Sequence, residues 1–319
     1  MIIICIIKHN KNIRNLLVWE GVDIFPIIEA RLEYLAKRHS VACVKAYDKA
    51  EEIIKARGIE VLLVASLSSC TSRAVAKAAH NTNVPVVSWQ HGNYGYMEQP
   101  IFIYNDIIDT DFVIVYGDEV IKTYAKEAKK YHTKLLSVGS ATLEALRLSK
   151  QHTPANNNLF PLDKPVVLYV QTSLYENCNY ISLYEPFSDN HYWRINRAVL
   201  DILAKHYDKA TMVVKLHPSL DRRNYLSTKY AKERELQGFY FISNECGFKD
   251  LLPYAELVII DFPSTVLLES LVFDMPIILL DKYVRINNDF SNTLPLRVTI
   301  CHEPDDFIEK LETLDWNNI

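Results

Sequence analysis

The chain has 319 residues, of which 49% are hydrophobic and 23% are charged, and this balance excludes an intrinsically disordered protein. The formal net charge of -4 provides no overall attraction to nucleic acid, so any phosphate binding must come from local groups. The six cysteines lack CxxC spacing, which predicts reduced core thiols and disfavours a zinc site or a disulfide framework.

The opening MIIICII is apolar but has no basic segment before it and no small-residue cleavage site after it. This pattern predicts a buried first strand over residues 2–7 in place of a signal peptide. No later apolar run approaches the length of a membrane span. We therefore expect a cytoplasmic protein whose association with a membrane, if it has one, is peripheral and at the inner face.

Short runs of Val, Ile and Leu alternate with longer amphipathic stretches, a pattern typical of parallel strands joined by crossover helices. In the first series, strands are predicted over 2–7, 41–45, 60–65, 85–89, 111–116 and 134–138, and helices over 24–38, 47–57, 70–82 and 117–130. The polar, Pro-rich stretch QHTPANNNLFPLDKP then predicts a linker. In the second series, strands are predicted over 166–170, 210–215, 238–242, 256–260 and 276–280, and helices over 190–206, 221–235, 247–253, 264–273 and 304–314.

The fold class predicted from this alternation is α/β, with two tandem Rossmann-like, doubly wound domains that face each other across an interdomain cleft. The N-terminal domain is predicted over residues 1–150 and the C-terminal domain over 151–319. Ligands of such sheets bind beyond the carboxyl ends of the strands. Residues that directly follow a predicted strand are therefore the candidates for a functional site.

The first candidate is His91, which leaves the predicted strand of VPVVSWQHGNYGYMEQP together with Gln90 and Gly92. An imidazole at a strand end can take a proton from an acceptor hydroxyl near neutral pH. The alternative is a histidine that only hydrogen-bonds its loop.

The second candidate is the end of the strand in TMVVKLHPSLD, where Lys215 and His217 precede Pro218. Proline restricts the residue before it to extended geometry, which would hold His217 rigidly. A rigid histidine near a lysine suits a phosphate or pyrophosphate leaving group. A simple strand-terminating turn is the alternative.

The third candidate is AELVIIDFPSTVLLESLVFDMPIILLD, in which Ser264 and Thr265 open a helix soon after a buried strand ends at Asp261. Their position suits phosphate binding at a helix start, although a plain helix cap explains them equally. Glu269 lies about one turn further on, inside an otherwise apolar helix, where a solvated carboxylate is not expected. It could accept both hydroxyls of a ribose.

The remaining candidate residues are chosen only because they follow predicted strands. Gly139 and Ser140 could form a second anion-binding helix start, or only the tight exit of a strand. Gln171, Thr172 and Ser173 follow the first strand of the second series and could help to hold a donor. Glu20 and Gly21 follow the predicted first strand of the chain and could shape an acceptor pocket.

Taken together, QHG, KLHP and DFPSTVLLESLVFDMPIILLD resemble motifs of the bacterial CDP-glycerol glycerophosphotransferases. They are similar also to those of capsule sialyl- and Kdo-transferases, which are surface-polysaccharide glycosyltransferases with the glycosyltransferase B (GT-B) fold. The resemblance touches both halves, and its specific part is the last stretch. One departure is that Phe262 and Pro263 stand where the glycerophosphotransferases have a DYSS-like run, which puts a CDP-glycerol donor in doubt.

The resemblance implies that the C-terminal half binds a nucleotide-activated donor of CMP, CDP or UDP type and that the N-terminal half binds a glycan or lipid-linked acceptor. His91 would be the catalytic base, and Gln90 and Gly92 would lie on the acceptor side. His217, with Ser264 and Thr265, would contact phosphate, while Glu269 would bind ribose.

The sequence contains no DxD pair after a strand and no cluster with metal-ligand spacing, so a metal-independent transfer with no cofactor is predicted. Two alternatives remain open at this point. One is an enzyme like the sugar-nucleotide 2-epimerases, although their Asp-Ser-Gly-Gly run is absent where Pro263, Ser264 and Thr265 stand. The other is a catalytically silent subunit that binds a nucleotide sugar.

Overall fold

The structure is a computed structural model that describes residues 2–96, 100–149, 158–172, 174, 188–217, 225–282, 286 and 288–319. The chain forms two compact units. Unit 1 comprises Met1–Gln90, Phe102–Ile114 and Tyr124–Leu136, and unit 2 comprises His91–Ile101, Val115–Thr123 and Ser137–Ile319. The units thus interleave along the chain, and the predicted domain boundaries at residues 1–150 and 151–319 stay a prediction.

The strands of the described residues are β1 Val18–Trp19, β2 Val22–Asp23, β3 Leu62–Val64, β4 Val86–Trp89, β5 Phe112–Val115, β6 Lys134–Ser137, β7 Val166–Val170, β8 Thr211–Lys215, β9 Phe239–Ile242, β10 Ala255–Ile260, β11 Ile277–Leu280 and β12 Val298–Cys301. The helices are α1 Ile2–His9, α2 Lys11–Asn15, α3 Phe25–Tyr34, α4 Ser40–Arg57, α5 Cys70–Asn81, α6 Pro100–Phe102, α7 Asp118–Tyr131, α8 Ala141–Ser149, α9 Asp189–Ala204, α10 Tyr225–Glu233, α11 Phe248–Leu251, α12 Thr265–Ser270, α13 Asn288–Thr293 and α14 Pro304–Glu312.

The main sheet of unit 1 has the order β3-β4-β5-β6. Its strands β3, β4 and β5 pair in parallel, with Leu62 opposite Val86 and Val87 opposite Phe112. Helices α4 and α5 pack on each other, and Ile54 of α4 joins the small core beside this sheet. The four strands predicted over 60–65, 85–89, 111–116 and 134–138 are therefore confirmed.

The two predicted strands nearest the N-terminus are wrong. Residues 2–7 lie within α1, and residues 41–45 lie within α4, which continues to a left-handed cap at Gly58. A short apolar run has no periodicity that separates a strand from a buried helix, so its neighbours decide. The run over 41–45 continues into KAYDKAEEIIKAR, which is rich in residues with good helix propensity, whereas the run over 2–7 is followed only by Lys8 and His9 before α1 ends.

The sheet of unit 2 has six strands in the order β12-β11-β10-β7-β8-β9, and all of its pairings are parallel. The central strands β7, β8 and β11 are buried at every position because helices cover both faces of the sheet. The five strands predicted in this series are confirmed, whereas the edge strand β12 was missed. Its sequence VTIC is interrupted by the exposed Thr299 and lacks a continuous apolar run.

Parallel pairing brings the carboxyl ends of β7, β8, β10 and β11 to one edge of this sheet. The helix predicted over 264–273 is shorter than expected, since α12 ends at Ser270. Both units are α/β with parallel sheets, so the predicted fold class is confirmed at this level.

The cysteines are less buried than the sequence predicts. Cys301 is buried, but Cys5 and Cys70 are exposed, because α1 and the start of α5 carry them on outer faces. Within the described ranges, no helix is both long enough and apolar enough to cross a bilayer.

Candidate functional site

Asp261 is the centre of a buried polar network at the end of β10. One of its oxygens, Oδ1, accepts a 2.8 Å hydrogen bond from the Thr172 backbone amide. The other, Oδ2, accepts from the Tyr169 hydroxyl at 2.7 Å and from the Asn196 side-chain amide at 2.7 Å. Asn196 also donates to the Tyr169 oxygen at 2.8 Å. The network therefore joins the ends of β7 and β10 to α9.

Burial raises the pKa of Asp261 to about 6, because desolvation of the carboxylate outweighs the hydrogen bonds that it accepts. The pKa of Tyr169 is raised far above its usual range, first by burial and then by the neighbouring carboxyl. Tyr169 is thus a neutral hydroxyl donor. The carboxyl of Asp261 is held at the sheet edge in a form that can still gain or lose a proton near neutral pH.

The strand end after β7 carries two of the residues predicted to bind a donor. Gln171 is buried, and its Oε1 accepts a 2.8 Å hydrogen bond from the Ser227 hydroxyl. Thr172 is also buried, and its Oγ1 has no hydrogen-bond partner within the described part of the chain. Ser173, the third predicted residue, lies outside the described residues. Thr172 thus places a hydroxyl beside Asp261 that makes no hydrogen bond of normal geometry within the described residues.

Lys215 and His217 occupy the end of β8, as the sequence predicts. The Lys215 side chain is buried, and its amino group donates to the backbone carbonyls of Leu216 and Ser243. Burial lowers the pKa of Lys215. His217 is exposed at the strand end. Lys215 therefore links the ends of β8 and β9, and a contact with phosphate stays a prediction for both side chains.

Helix α12 begins directly beyond the end of β10 and carries three predicted residues. Ser264 is its N-cap residue, but the Ser264 side chain makes no capping hydrogen bond, so plain capping does not account for its hydroxyl. Thr265 is exposed. Glu269 is only 9% exposed, and burial raises its pKa against the opposing attraction of Lys249. A buried carboxyl on this short helix is consistent with a ligand-binding role.

The structure brings Gly92 against Thr265, although the two are far apart in sequence. A Cβ atom at Gly92 would overlap Thr265 Oγ1, and Gly92 has a positive φ of 57°. Only glycine fits this position. His91 directly precedes it and is exposed, within the same compact unit as α12. Gly92 of the QHG motif and Thr265 of the DFPST motif are thereby neighbours within unit 2.

The remaining predicted residues are structurally less distinctive. Ser140 caps α8, since its Oγ accepts from the Leu143 amide at 3.3 Å, and Gly139 before it has a φ of 81°. The Gln90 side chain is fully buried. Glu20 and Gly21 form the turn between β1 and β2, so the strand that was expected to place them at a sheet edge is absent. Their predicted contacts with acceptor or anion stay predictions.

Sequence reasoning missed Tyr169 and Asn196, which hold Asp261. Tyr169 is one position in an apolar strand, and Asn196 is one polar position in an amphipathic helix. A polar residue on the buried face of α9 was the available signal. Among the described residues, no group of three or more His, Cys, Asp or Glu side chains could hold a metal ion.

Comparison with solved structures defines the fold class of the protein. The UDP-GlcNAc 2-epimerase of Methanocaldococcus jannaschii, solved with UDP-GlcNAc and UDP, is 16% identical with a TM-score of 0.58, and the match covers 86% of this chain and 75% of that one. Staphylococcus aureus MnaA, solved with UDP, is 13% identical with a TM-score of 0.57 and coverages of 86% and 71%. The trehalose 6-phosphate synthase of Burkholderia multivorans is 8% identical with a TM-score of 0.54 and coverages of 88% and 70%. These likenesses confirm the predicted two-domain GT-B fold.

The family follows from the sequence itself. A family model described as LIC12162 family transferase matches residues 42–290, and the chain belongs to that family. No curated protein sequence matches the chain. The prediction that the protein is a transferase is therefore confirmed.

Proposed function

We propose that this transferase moves a glycosyl or polyol-phosphate group from a nucleotide-activated donor to a glycan or lipid-linked acceptor, in the assembly of a bacterial surface polysaccharide. Unit 2 binds the donor, and His91 is the general base that activates the acceptor hydroxyl. This assignment is consistent with a transferase family and with a GT-B fold. The proteins of like fold that were solved with UDP-GlcNAc or UDP make UDP the first nucleotide to test.

The observation that carries the proposal is the buried residue Glu269, which is 9% exposed and lies on α12, the helix that follows β10. A carboxylate without compensating hydrogen bonds is expensive to bury, and burial raises the pKa of Glu269 accordingly. The two hydroxyls of a ribose would supply those hydrogen bonds. Ser264 lies at the start of the same helix, where its uncommitted hydroxyl can donate to a phosphate oxygen.

His217 at the end of β8 extends this donor site toward the leaving group, where an imidazole can hydrogen-bond or protonate a departing phosphate. Transfer needs no metal ion if His217 and Ser264 stabilise the negative charge that develops on the leaving phosphate. In glycosyl transfer the deprotonated acceptor oxygen bonds to the anomeric carbon, and the bond from that carbon to the phosphate oxygen breaks to release the nucleotide. In polyol-phosphate transfer the acceptor oxygen bonds to the phosphorus of the transferred group, and the bond from that phosphorus to the bridging oxygen breaks to release the nucleoside monophosphate.

The first experiment measures binding of CMP, CDP, UDP and GDP by thermal shift and calorimetry, because a ligand of the folded state raises the melting temperature. Glu269→Gln should weaken binding of the preferred nucleotide by about 10- to 100-fold, as expected for loss of a charged hydrogen-bond acceptor. Glu256 is exposed on β10, so Glu256→Gln is the matched control, and this variant should bind the nucleotide as tightly as wild type does.

A 2′-deoxynucleotide sharpens this test. Wild-type protein should bind the deoxy form more weakly than the ribose form, whereas Glu269→Gln should discriminate little between them. Equal discrimination by both proteins would show that Glu269 does not contact the ribose. Absence of binding for every nucleotide would refute the donor function.

Product analysis separates transfer from epimerisation, because an epimerase converts its nucleotide sugar without an acceptor. Transfer predicts release of nucleotide only when the acceptor is present. Conversion of the sugar in the absence of acceptor would assign the protein to the epimerase class.

A further inference from the structure

The buried carboxyl of Asp261 has no assigned function in the donor site described above. It is 3% exposed and lies one residue beyond the end of β10. The last paired residues of β10 and β7 are Ile260 and Val170, so the backbone ladder between these strands has ended there. The hydrogen bond from the Thr172 amide to Asp261 thus extends the connection of the two strands past their last ladder pair.

The neighbouring groups fix the orientation of this carboxyl. Tyr169 and Asn196 both donate to Oδ2, which leaves Oδ1 directed at the Thr172 amide. The Thr172 hydroxyl lies close enough to lower the pKa of Asp261, but it makes no hydrogen bond of normal geometry within the described residues. Asp261 therefore holds the Thr172 backbone and leaves its side-chain hydroxyl available.

A purely structural role does not explain this arrangement. An ionisable group buried at 3% exposure opposes folding, and packed apolar side chains of similar volume often stabilise a core more. Moreover, Thr172 Oγ1 and Asn196 Oδ1 are both buried without a partner in the described part of the chain. Unsatisfied polar atoms of this kind at a sheet edge are expected where a ligand completes the hydrogen bonds.

We propose that Asp261 is a positioning residue that orients Thr172 so that its hydroxyl hydrogen-bonds an anionic oxygen of the nucleotide donor. Asp261 does not itself touch the donor. Its role rests on the nucleotide-donor function proposed above, because it acts only through Thr172. What it must provide is an acceptor oxygen for the Thr172 amide, and an asparagine side chain can provide the same acceptor.

The test uses four variants of the whole chain, with UDP, CDP and CMP as probes and binding measured by calorimetry well below the melting temperature. Thr172→Val removes the hydroxyl and should raise the dissociation constant of the bound nucleotide by about fivefold to tenfold. Asp261→Leu removes the oxygen that accepts from the Thr172 amide, and it should raise the dissociation constant at least as much as Thr172→Val does. Asp261→Asn keeps the acceptor for the Thr172 amide. Its new NH2 group replaces Oδ2 and can donate to Asn196 Oδ1 once the Asn196 amide turns, so this variant should bind within about threefold of wild type.

The double variant Asp261→Leu with Thr172→Val should bind no more weakly than Asp261→Leu alone, because one residue acts through the other. Asp201→Leu is the matched control, since Asp201 is a carboxylate near the C-terminal end of α9 that accepts hydrogen bonds from the Tyr230 hydroxyl. It should leave nucleotide binding unchanged. A structural role alone would lower the melting temperature of Asp261→Leu without changing the dissociation constant of the folded protein.

Each other outcome has a defined meaning. If wild type binds a nucleotide and folded Asp261→Leu binds it equally well, the positioning role is overturned while the donor function stands. Additive effects of the two substitutions would also overturn it. If Asp261→Leu does not fold, Tyr169→Phe replaces it, since loss of one bond to Asp261 should weaken binding by about twofold to fivefold. No binding of any nucleotide by wild type would refute both the donor function and this role.

Discussion

Replacement of Asp106 by asparagine should change the pH dependence of stability. Asp106 lies in a π-helical turn of unit 1, and the hydroxyls of Ser88 and Thr110 donate to its backbone carbonyl. Its carboxyl is buried, and Oδ1 has no hydrogen-bond partner among the described residues. Desolvation therefore raises the pKa of Asp106 from 3.8 to about 8.

The sign and size of the effect follow from linkage. The unfolded chain releases this proton near pH 4 and the folded chain near pH 8, so stability falls as pH rises between these values. At 1.36 kcal/mol for each pKa unit, the full penalty is about 6 kcal/mol above pH 8. Asparagine never ionises, but the unpaired donors of its amide cost about 1 to 3 kcal/mol. Asp106→Asn should thus be less stable than wild type at pH 4 and about 3 to 5 kcal/mol more stable at pH 8.5.

The assay is urea-induced unfolding of both proteins from pH 4 to pH 9, followed by circular dichroism. The quantity of interest is the difference in unfolding free energy between variant and wild type, because other titrating groups cancel in it. Asp48→Asn, at an exposed position of α4, is the matched control for the loss of a carboxylate. The reasoning is refuted if the Asp106→Asn difference stays constant within about 0.5 kcal/mol over this range.

The other predictions concern the QHG turn and the metal requirement. Gly92→Ala should destabilise the protein by about 2 to 4 kcal/mol, because alanine is strained at a positive φ and its Cβ clashes with Thr265. Adding Thr265→Ala should recover the part of this stability loss that is due to the clash. Gly139→Ala is the control, because no atom of the described residues lies within 4 Å of the added Cβ, and it should lower the stability by only about 1 kcal/mol. Thermal unfolding compares the stability of the Gly92 and Gly139 variants. His91→Ala should reduce single-turnover transfer by about 100-fold while nucleotide affinity stays constant; a parallel loss of affinity would contradict its role as base. Transfer should persist in EDTA, and a loss that magnesium restores would show that a metal ion takes part.

The sequence alone determined five of the six strands of the unit 2 sheet and the positions of most candidate residues. Runs such as VVLYV and IILL are continuous and apolar because both faces of a parallel sheet are covered, so their local pattern is sufficient to identify them. Residues that follow such strands are then placed at the sheet edge without knowledge of the tertiary structure. Ser264, Glu269 and His217 were found in this way.

Only the tertiary structure decided which of these residues are neighbours. The Tyr169–Asp261 hydrogen bond joins residues 92 positions apart, and Gly92 meets Thr265 over a longer separation. Such contacts depend on strand order and on helix packing, which local periodicity does not encode. The same limit explains the helix over residues 2–7, because a short apolar run fits a strand or a helix equally until its surroundings select one.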